Sequence, residues 1–216
     1  MTDATQTDPV APERGWRKKF MALLMSKGMA RYEHIVRERK EKLLGDLHGT
    51  VVEIGPGTGV NLPFYTRDVQ WIGIEPNAYM HDYLHAESKR LDFPIDIRGG
   101  TAEALPVADA SVDAVVSTLV LCSVPQLEAT LAEIHRALKP GGRFVYVEHV
   151  AGEQGTFLRR FQSFIKPVWR YFGDGCEPDR ETGRAIEQAG FTKVDFEDFR
   201  PVPGPIAPHI AGLAVK

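Results

Sequence analysis

A glycine-rich stretch, EIGPGTGVN, follows the first strongly β-forming run of the chain. Gly55, Gly57 and Gly59 let the backbone turn tightly and approach a ligand closely. A pyrophosphate loop of the form G-x-G-x-x-G would need a glycine at position 60, where the chain has Val60. Glu53 precedes the glycines and the loop contains no Lys or Arg, so the pattern disfavours a phosphate ligand.

Glu75 ends the next predicted strand, 20 residues after Gly55. A carboxylate at that place can accept hydrogen bonds from both hydroxyls of a ribose. With Glu53 close by, the residues suit a ligand that carries an amino group and a sulfonium. The alternative for Glu75 is an exposed acid at the end of a strand.

The elements that must position these residues alternate along the chain. One predicted helix begins after Asn77, which is its N-cap, and a second ends at the sequence KPGG. A third spans residues 155–172, where Pro167 is expected to bend or shorten it. A fourth is expected to begin after Asp179, its predicted N-cap. β-forming runs separate them, and the predicted strands are TVVEIG, VQWIGIEP, FPIDIRGG, VDAVVSTLVL, RFVYVEHV, FTKVDFEDFR and HIAGLAVK. This alternation predicts an α/β fold with a mostly parallel sheet and helices on both faces.

Three regions are expected: a disordered tail over residues 1–13, a helical segment over 14–44, and one domain over 45–216. Residues 14–42 contain ten Lys and Arg and three Glu, a local charge of +7. That segment is predicted to be a lid over the site or a helix at a membrane surface, and both alternatives stay open. The longest apolar run near the N-terminus, residues 20–25, is far shorter than the roughly 20 residues of a membrane-spanning helix.

The net charge and the number of cysteines indicate which partners and which cellular location the protein has. A net charge of −3 disfavours nucleic acid as a partner. Two cysteines are too few for a disulfide framework, which favours a reducing, cytoplasmic location, with membrane-surface contact through residues 14–44 as the alternative. The oligomeric state is not predicted.

The glycine loop, Glu75, the stretch GGTAEALPVADASVDAVVSTLVL and the turn LKPGG together resemble the class I S-adenosylmethionine-dependent methyltransferases. The resemblance covers about residues 45–216. It implies a Rossmann-like seven-stranded sheet whose last two strands form an antiparallel hairpin, with S-adenosyl-L-methionine as cofactor and S-adenosyl-L-homocysteine as product.

The resemblance also assigns roles to individual positions. Many relatives have an aspartate where this chain has Thr101, so recognition of the adenine amino group is expected to pass to Glu103. The implied cofactor-binding residues are Glu53, Gly55, Gly57, Thr58, Gly59, Glu75, Pro76, Asn77, Met80, Thr101, Ala102, Glu103, Thr118, Leu119 and Val120.

Several shorter stretches, STLVLCSV, EHV, GDGC, RET and PHIAGLAVK, resemble the methyltransferase-like thiol S-methyltransferases of animals. This resemblance implies methylation of a small thiol by in-line transfer. The alternatives are N- or O-methylation of a lipid amine, a phenol or quinone precursor, or a small carboxylate, and a catalytically silent cofactor-binding module.

A thiol acceptor has a pKa near 8.5, so a positioned base would help to form the thiolate. His149, at the carboxyl end of the fifth strand, is the first candidate, with a structural histidine as the alternative. Asp174 is the second. A structural role is expected for His209, and the other histidines are predicted to be solvated.

The stretch GDGC is predicted to be a turn on the acceptor side of the cofactor, followed by the helix that Asp179 caps. Cys122 is interpreted as a small buried hydrophobe. A metal site is not predicted, because Cys176 belongs to no CxxC pair and no histidine lies near it in the sequence.

Overall fold

The computed structural model describes Gly15, Trp16, Lys18, Lys19, Leu23 and residues 30–216. The predicted tail over 1–13 lies outside these residues. Of the predicted N-terminal helical segment, Trp16, Lys18, Lys19 and Leu23 have helical backbone. Helix α1 spans Ala30–Leu44.

Within the described part of the chain, seven strands form one sheet in the order β3-β2-β1-β4-β5-β7-β6. Their bounds are β1 Thr50–Ile54, β2 Gln70–Ile74, β3 Asp96–Arg98, β4 Val112–Thr118, β5 Leu138–His149, β6 Lys193–Phe199 and β7 His209–Val215. The first five strands pair in parallel, and β7 pairs antiparallel with both β5 and β6. This confirms the predicted Rossmann-like sheet with an antiparallel terminal hairpin.

Helices cover both faces of this sheet. They are α2 Ala78–Leu91, α3 Leu127–Ala137, α4 Phe157–Phe172 and α5 Thr182–Glu187, with a short 3-10 helix at Leu62–Phe64. Asn77 caps α2 as predicted, since its side chain accepts a hydrogen bond of 3.1 Å from the Tyr79 N–H. Helix α4 continues five residues beyond Pro167, so the proline does not end it.

The apolar core is divided between the two faces of the sheet. Successive side chains of a strand point to opposite faces, so Val52 packs with Ile134 of α3 while Val51 packs with Leu84 of α2. Both faces are therefore buried, as expected for parallel strands flanked by helices. This core holds the carboxyl ends of the strands at one edge.

The start of β5 was predicted wrongly from the sequence. KPGG was expected to form a turn before the strand, but β5 already begins at Leu138. Leu138 pairs with Val112, and the register then shifts so that Ala114 pairs with Arg143. The glycines thus form an irregularity within the ladder, which their turn chemistry alone could not distinguish from a loop.

The predicted N-cap at Asp179 was also wrong. Helix α5 begins at Thr182, with Glu181 at the N-cap position and no side-chain cap. The Asp179 carboxylate instead accepts a hydrogen bond of 3.0 Å from Ser163 and pairs with Lys166 at 3.1 Å. These bonds join the turn at Asp179 to α4.

None of the described helices combines the length and the apolar composition that a membrane span needs.

Candidate active site

A cavity of about 710 Å³ opens at the carboxyl ends of β1, β2 and β4. The chain winds outward from β1 to β3 on one side and continues with β4 on the other, so this is the point where strand order reverses. Parallel α/β sheets bind ligands at that point. Gly55, Glu75 and Val120 line one side of the cavity, and Pro167 and Tyr171 of α4 line the other.

Glu75 is buried at the edge of the cavity and is fixed by the backbone around it. Its Oε2 accepts a hydrogen bond of 2.9 Å from the Gly57 N–H, and its Oε1 accepts one of 2.8 Å from the Asn77 N–H. Burial raises the pKa of the Glu75 carboxyl, and these two bonds oppose that rise. The carboxylate therefore joins the glycine loop to the start of α2.

Two glycines of the loop are required for different reasons. Gly55 has φ +59°, and a Cβ there would lie 2.7 Å from Cγ2 of Val120. Gly59 has φ +83°, and a Cβ there would lie 2.9 Å from Cδ1 of Leu84. Gly55 thus allows close approach at the cavity wall, whereas Gly59 allows the loop to pack on α2.

The structure brings about half of the predicted cofactor residues to the cavity wall. Those that line it are Gly55, Glu75, Pro76, Thr101, Ala102, Glu103 and Val120. Those outside the lining are Glu53, Gly57, Thr58, Gly59, Asn77, Met80, Thr118 and Leu119. Several of the second group support the first through backbone bonds, as Gly57 and Asn77 do for Glu75.

Glu53, a buried residue of β1, lies outside the cavity lining. Its carboxylate accepts hydrogen bonds from Asn61, Tyr65 and Trp71 at 2.8, 2.8 and 2.9 Å. Asn61 also donates to Thr118 at 3.0 Å. Glu53 thus ties the segment after the glycine loop to the sheet, and the structure does not bring it to the cavity.

Sequence patterns missed the role of Glu148. This buried residue of β5 accepts hydrogen bonds from the Ser117 hydroxyl at 2.6 Å and from the Val120 N–H at 3.1 Å. Burial raises the pKa of its carboxyl. Glu148 therefore holds Val120 in the cavity wall, and only the register of β4 against β5 reveals it.

His81 was expected to be solvated, but it is half-buried beside the site. Its Nε2 lies 2.9 Å from the carbonyl oxygen of Glu75. This contact supports the segment that carries Glu75, and a helical position alone does not predict it.

The N-terminal helical segment reaches both sides of the cavity through Lys18. The Lys18 ammonium pairs with Asp174 at 2.8 Å, and the Lys18 carbonyl accepts a hydrogen bond of 3.1 Å from Asn77. Asp174 follows α4 with φ +53° and lies among the residues that line the cavity. Lys18 lies among the residues that line the cavity.

His149 is buried away from the cavity lining. Its Nε2 lies 3.0 Å from Sγ of Cys176, which also accepts a hydrogen bond of 3.2 Å from the Trp169 indole N–H. Contact with the Cys122 thiol, together with the bonds from His149 and Trp169, lowers the pKa of Cys176 well below its ordinary value. The two predicted bases, His149 and Asp174, thus lie in different environments.

Comparison with known proteins identifies the family. Residues 52–146 match the family model described as a methyltransferase domain. The chain is 37% identical to thiol S-methyltransferase TMT1B of Rattus norvegicus over 92% of this chain and 87% of the relative. It is 34% identical to thiol S-methyltransferase TMT1A of Homo sapiens over 92% and 87% of the two chains. The chain belongs to the thiol S-methyltransferase family. It is an S-adenosylmethionine-dependent methyltransferase.

A solved structure supports the fold. The methyltransferase of Haloferax volcanii, determined in complex with the Trm112 methyltransferase activator, matches with a TM-score of 0.71 at 19% identity. The match covers 94% of this chain and 98% of that one. At this identity the comparison supports the fold alone.

The residues of this methyltransferase fit its cofactor. Glu75 offers a buried carboxylate that could accept hydrogen bonds from ribose hydroxyls, and Gly55 leaves space that a side chain would fill. Thr101, Ala102 and Glu103 border the same cavity, where they would hold the adenine. Carboxylates with no lysine or arginine in the loop suit a cationic sulfonium better than a phosphate.

Proposed function

We propose that this methyltransferase acts on the sulfur of a small thiol. The observation that carries the proposal is the similarity, at 34–38% identity over most of both chains, to relatives named as thiol S-methyltransferases. S-adenosylmethionine, when bound, supplies an activated methyl group. The protein's own part is to bind the acceptor, orient its sulfur and handle its proton.

The lining of the cavity beyond Val120 supports a small, partly apolar acceptor. Val124, Pro125 and Pro167 give this side an apolar wall, and Asp174 gives it a carboxylate. Holding two reacting groups about 3–3.5 Å apart can contribute roughly 7–11 kcal/mol to catalysis. A wall that positions the acceptor sulfur against the methyl group would therefore increase the rate of transfer.

We assign the proton-accepting role to Asp174 rather than His149. Asp174 lines the cavity, whereas the Nε2 of His149 faces Cys176. The described hydrogen bond of the Asp174 carboxylate engages Oδ2 with Lys18, so Oδ1 is the oxygen that would face the acceptor. Lys18 beside it would also favour the thiolate form.

Substitution of Asp174 tests this assignment. Asp174→Asn should lower kcat for a small alkyl thiol about 100-fold at pH 7, because general-base catalysis contributes roughly 10²–10⁴-fold. The deficit should shrink as the pH rises past about 8.5, where the thiol ionises without help. A pH series of initial rates measures this, with Lys18→Met as the companion variant that removes the paired charge. A deficit that stays constant with pH would contradict the assignment.

The acceptor class is tested by a labelled-methyl transfer screen across small thiols, phenols, amines and carboxylates. We expect turnover of alkyl thiols. Turnover of a lipid amine or a phenol with none of any thiol would overturn the proposal, and bound cofactor without any transfer would indicate a silent module.

One observation favours a second candidate, an amphiphilic acceptor taken from a lipid surface. Phe157, Phe164 and Phe172 of α4 are more than 70% exposed, and Tyr171 of the same helix lines the cavity. Trp16 and Leu23 of the basic N-terminal segment are exposed as well. We propose that this apolar surface and the +7 segment over 14–42 contact an anionic membrane surface.

A further inference from the structure

Two cysteines and a histidine that are far apart in the sequence meet beside the acceptor side of the cavity. Sγ of Cys122, Sγ of Cys176 and a ring nitrogen of His149 all lie within 4.8 Å of one another. We call these three residues the Cys–His cluster. The chain neighbours Ser123 and Gly175 line the cavity, so the cluster lies directly behind its wall.

The two sulfurs of the cluster differ in character. Cys176 is partly exposed, and its Sγ is contacted by His149 Nε2 at 3.0 Å and by the Trp169 N–H at 3.2 Å. Hydrogen bonds to sulfur favour the thiolate, which is the nucleophilic form. Cys122 is buried, and contact with Cys176 together with burial raises the pKa of its thiol. The cluster thus sets a half-buried sulfur with two hydrogen-bond contacts beside a fully buried one.

The backbone already places the two cysteines side by side. The N–H of Glu177, directly after Cys176, donates a hydrogen bond of 2.9 Å to the carbonyl of Cys122. The sulfur atoms of the two cysteines lie within 4.8 Å of each other, so a small movement of the side chains would bring them to bonding distance. The turn before Cys176 contains Gly173 and Gly175, so it can adjust as the sulfurs close.

The contacts favour thiol chemistry over a metal ion. The cluster offers three ligand atoms among the described residues, too few for a structural zinc site but as many as a catalytic one uses, so the second ring nitrogen of His149 decides between zinc and thiol chemistry. A metal-bound imidazole donates its other ring N–H to a partner. The buried Nδ1 of His149 has no hydrogen-bond partner in the described structure.

We propose that the Cys–His cluster is a thiol–disulfide exchange site that takes small aliphatic disulfides. The choice of small disulfides rests on the proposed function, because they are the oxidised form of the proposed acceptor. The exchange itself rests on the Cys–His cluster and does not require methyl transfer.

The reaction balances in two steps. The Cys176 thiolate attacks one sulfur of R–S–S–R, the S–S bond breaks, and one R–S⁻ leaves with a mixed disulfide on Cys176. The Cys122 thiol then attacks the Cys176 sulfur and passes its proton to the second R–S group, which leaves as R–SH, while the first R–S⁻ takes a proton from solvent. One small disulfide is reduced to two thiols, and the two cysteines are oxidised to one disulfide.

Mass mapping of the full-length protein tests the site. The reduced protein is freed of reductant, incubated with bis(2-hydroxyethyl) disulfide, quenched with acid and digested. We expect a Cys122–Cys176 linked peptide and two equivalents of released 2-mercaptoethanol. Absence of the linked peptide, or a first adduct on Cys122 in place of Cys176, would overturn the proposal.

Two matched variants separate the steps. Cys122→Ser should stop at a stable mixed disulfide on Cys176, and Trp169→Phe, which removes one donor to the sulfur, should slow adduct formation several-fold at pH 6. An unchanged rate of adduct formation in Trp169→Phe would contradict the role of the Cys176 thiolate as the nucleophile. Absence of an adduct in Cys122→Ser would contradict it as well. One equivalent of zinc in the purified, reduced protein would also overturn the proposal.

Methyl transfer is measured separately, with 2-mercaptoethanol as acceptor and a phosphine as reductant. Transfer without disulfide formation would refute the exchange site and leave the proposed function intact. Disulfide formation without transfer to any thiol would refute the proposed function and leave the exchange site intact.

Discussion

Glu75 is the side chain that joins the glycine loop to the start of α2 at the cavity wall. It holds the glycine loop through Gly57 and the start of α2 through Asn77, at 2.9 and 2.8 Å. Glu75→Ala removes these acceptors and the expected bonds to the ribose hydroxyls. Hydrogen bonds to a charged group contribute about 1.5–3 kcal/mol each, so we expect cofactor affinity to fall at least about 100-fold. Titration calorimetry with S-adenosylmethionine measures this.

Glu75→Gln is the matched control for that substitution. It keeps the side-chain volume and one oxygen, so it should bind the cofactor more tightly than the alanine variant but more weakly than wild type. Near-wild-type affinity in Glu75→Ala, in a protein that melts at the wild-type temperature, would contradict the ribose assignment.

At the scale of elements, α4 is the helix whose exposed face needs an explanation. Phe157, Phe161, Phe164 and Val168 recur at spacings of three and four residues and form one exposed stripe. Apolar residues at such spacing ordinarily face a core. Here the opposite side of the helix does so, through the buried Gln162, which accepts a hydrogen bond of 2.7 Å from the Gly152 N–H.

Replacement of this stripe tests membrane contact. Phe157→Ser with Phe164→Ser should reduce flotation with anionic liposomes at least about tenfold, because each buried aromatic contributes roughly 1.5–3 kcal/mol. Tyr83→Ser, at an exposed aromatic residue on α2, is the matched control and should float like wild type. Equal flotation of all three proteins would refute a role for the stripe.

At the scale of the whole molecule, His209 makes the stability of the fold depend on pH. It begins β7, pairs with His149 across the sheet and packs against the ring of Tyr32 from α1. Burial lowers the pKa of His209 from 6.5 to about 4. Between those values the unfolded chain binds a proton that the folded chain does not, so stability falls as the pH falls through this window.

His209→Gln should remove that dependence. One proton over this window corresponds to roughly 3 kcal/mol, so wild type should lose about that much more unfolding free energy than the variant between pH 7 and pH 4. Urea denaturation across the pH range measures the difference. His85→Gln, at an exposed histidine, controls for the loss of an imidazole. Parallel curves for wild type and His209→Gln would contradict the prediction.

The sequence by itself determined the order of strands and helices, the glycine loop with Glu75, and the family resemblance. These features are local: a strand, a turn and an N-cap such as Asn77 depend on residues within a few positions of one another. The antiparallel terminal hairpin followed from the resemblance, and the structure confirmed it. The start of β5 at Leu138 could not be predicted, because pairing with Val112 overrides the turn chemistry of the glycines.

Only the tertiary structure decided which polar side chains meet. Glu148 reaches Val120, Asp174 reaches Lys18, and Cys122 meets Cys176 across separations that no spacing rule spans. Each contact depends on sheet register and on how α4 and its following turn pack beside the cavity. The sequence named His149 as the first candidate base and Asp174 as the second, whereas packing buries His149 and places Asp174 in the cavity wall.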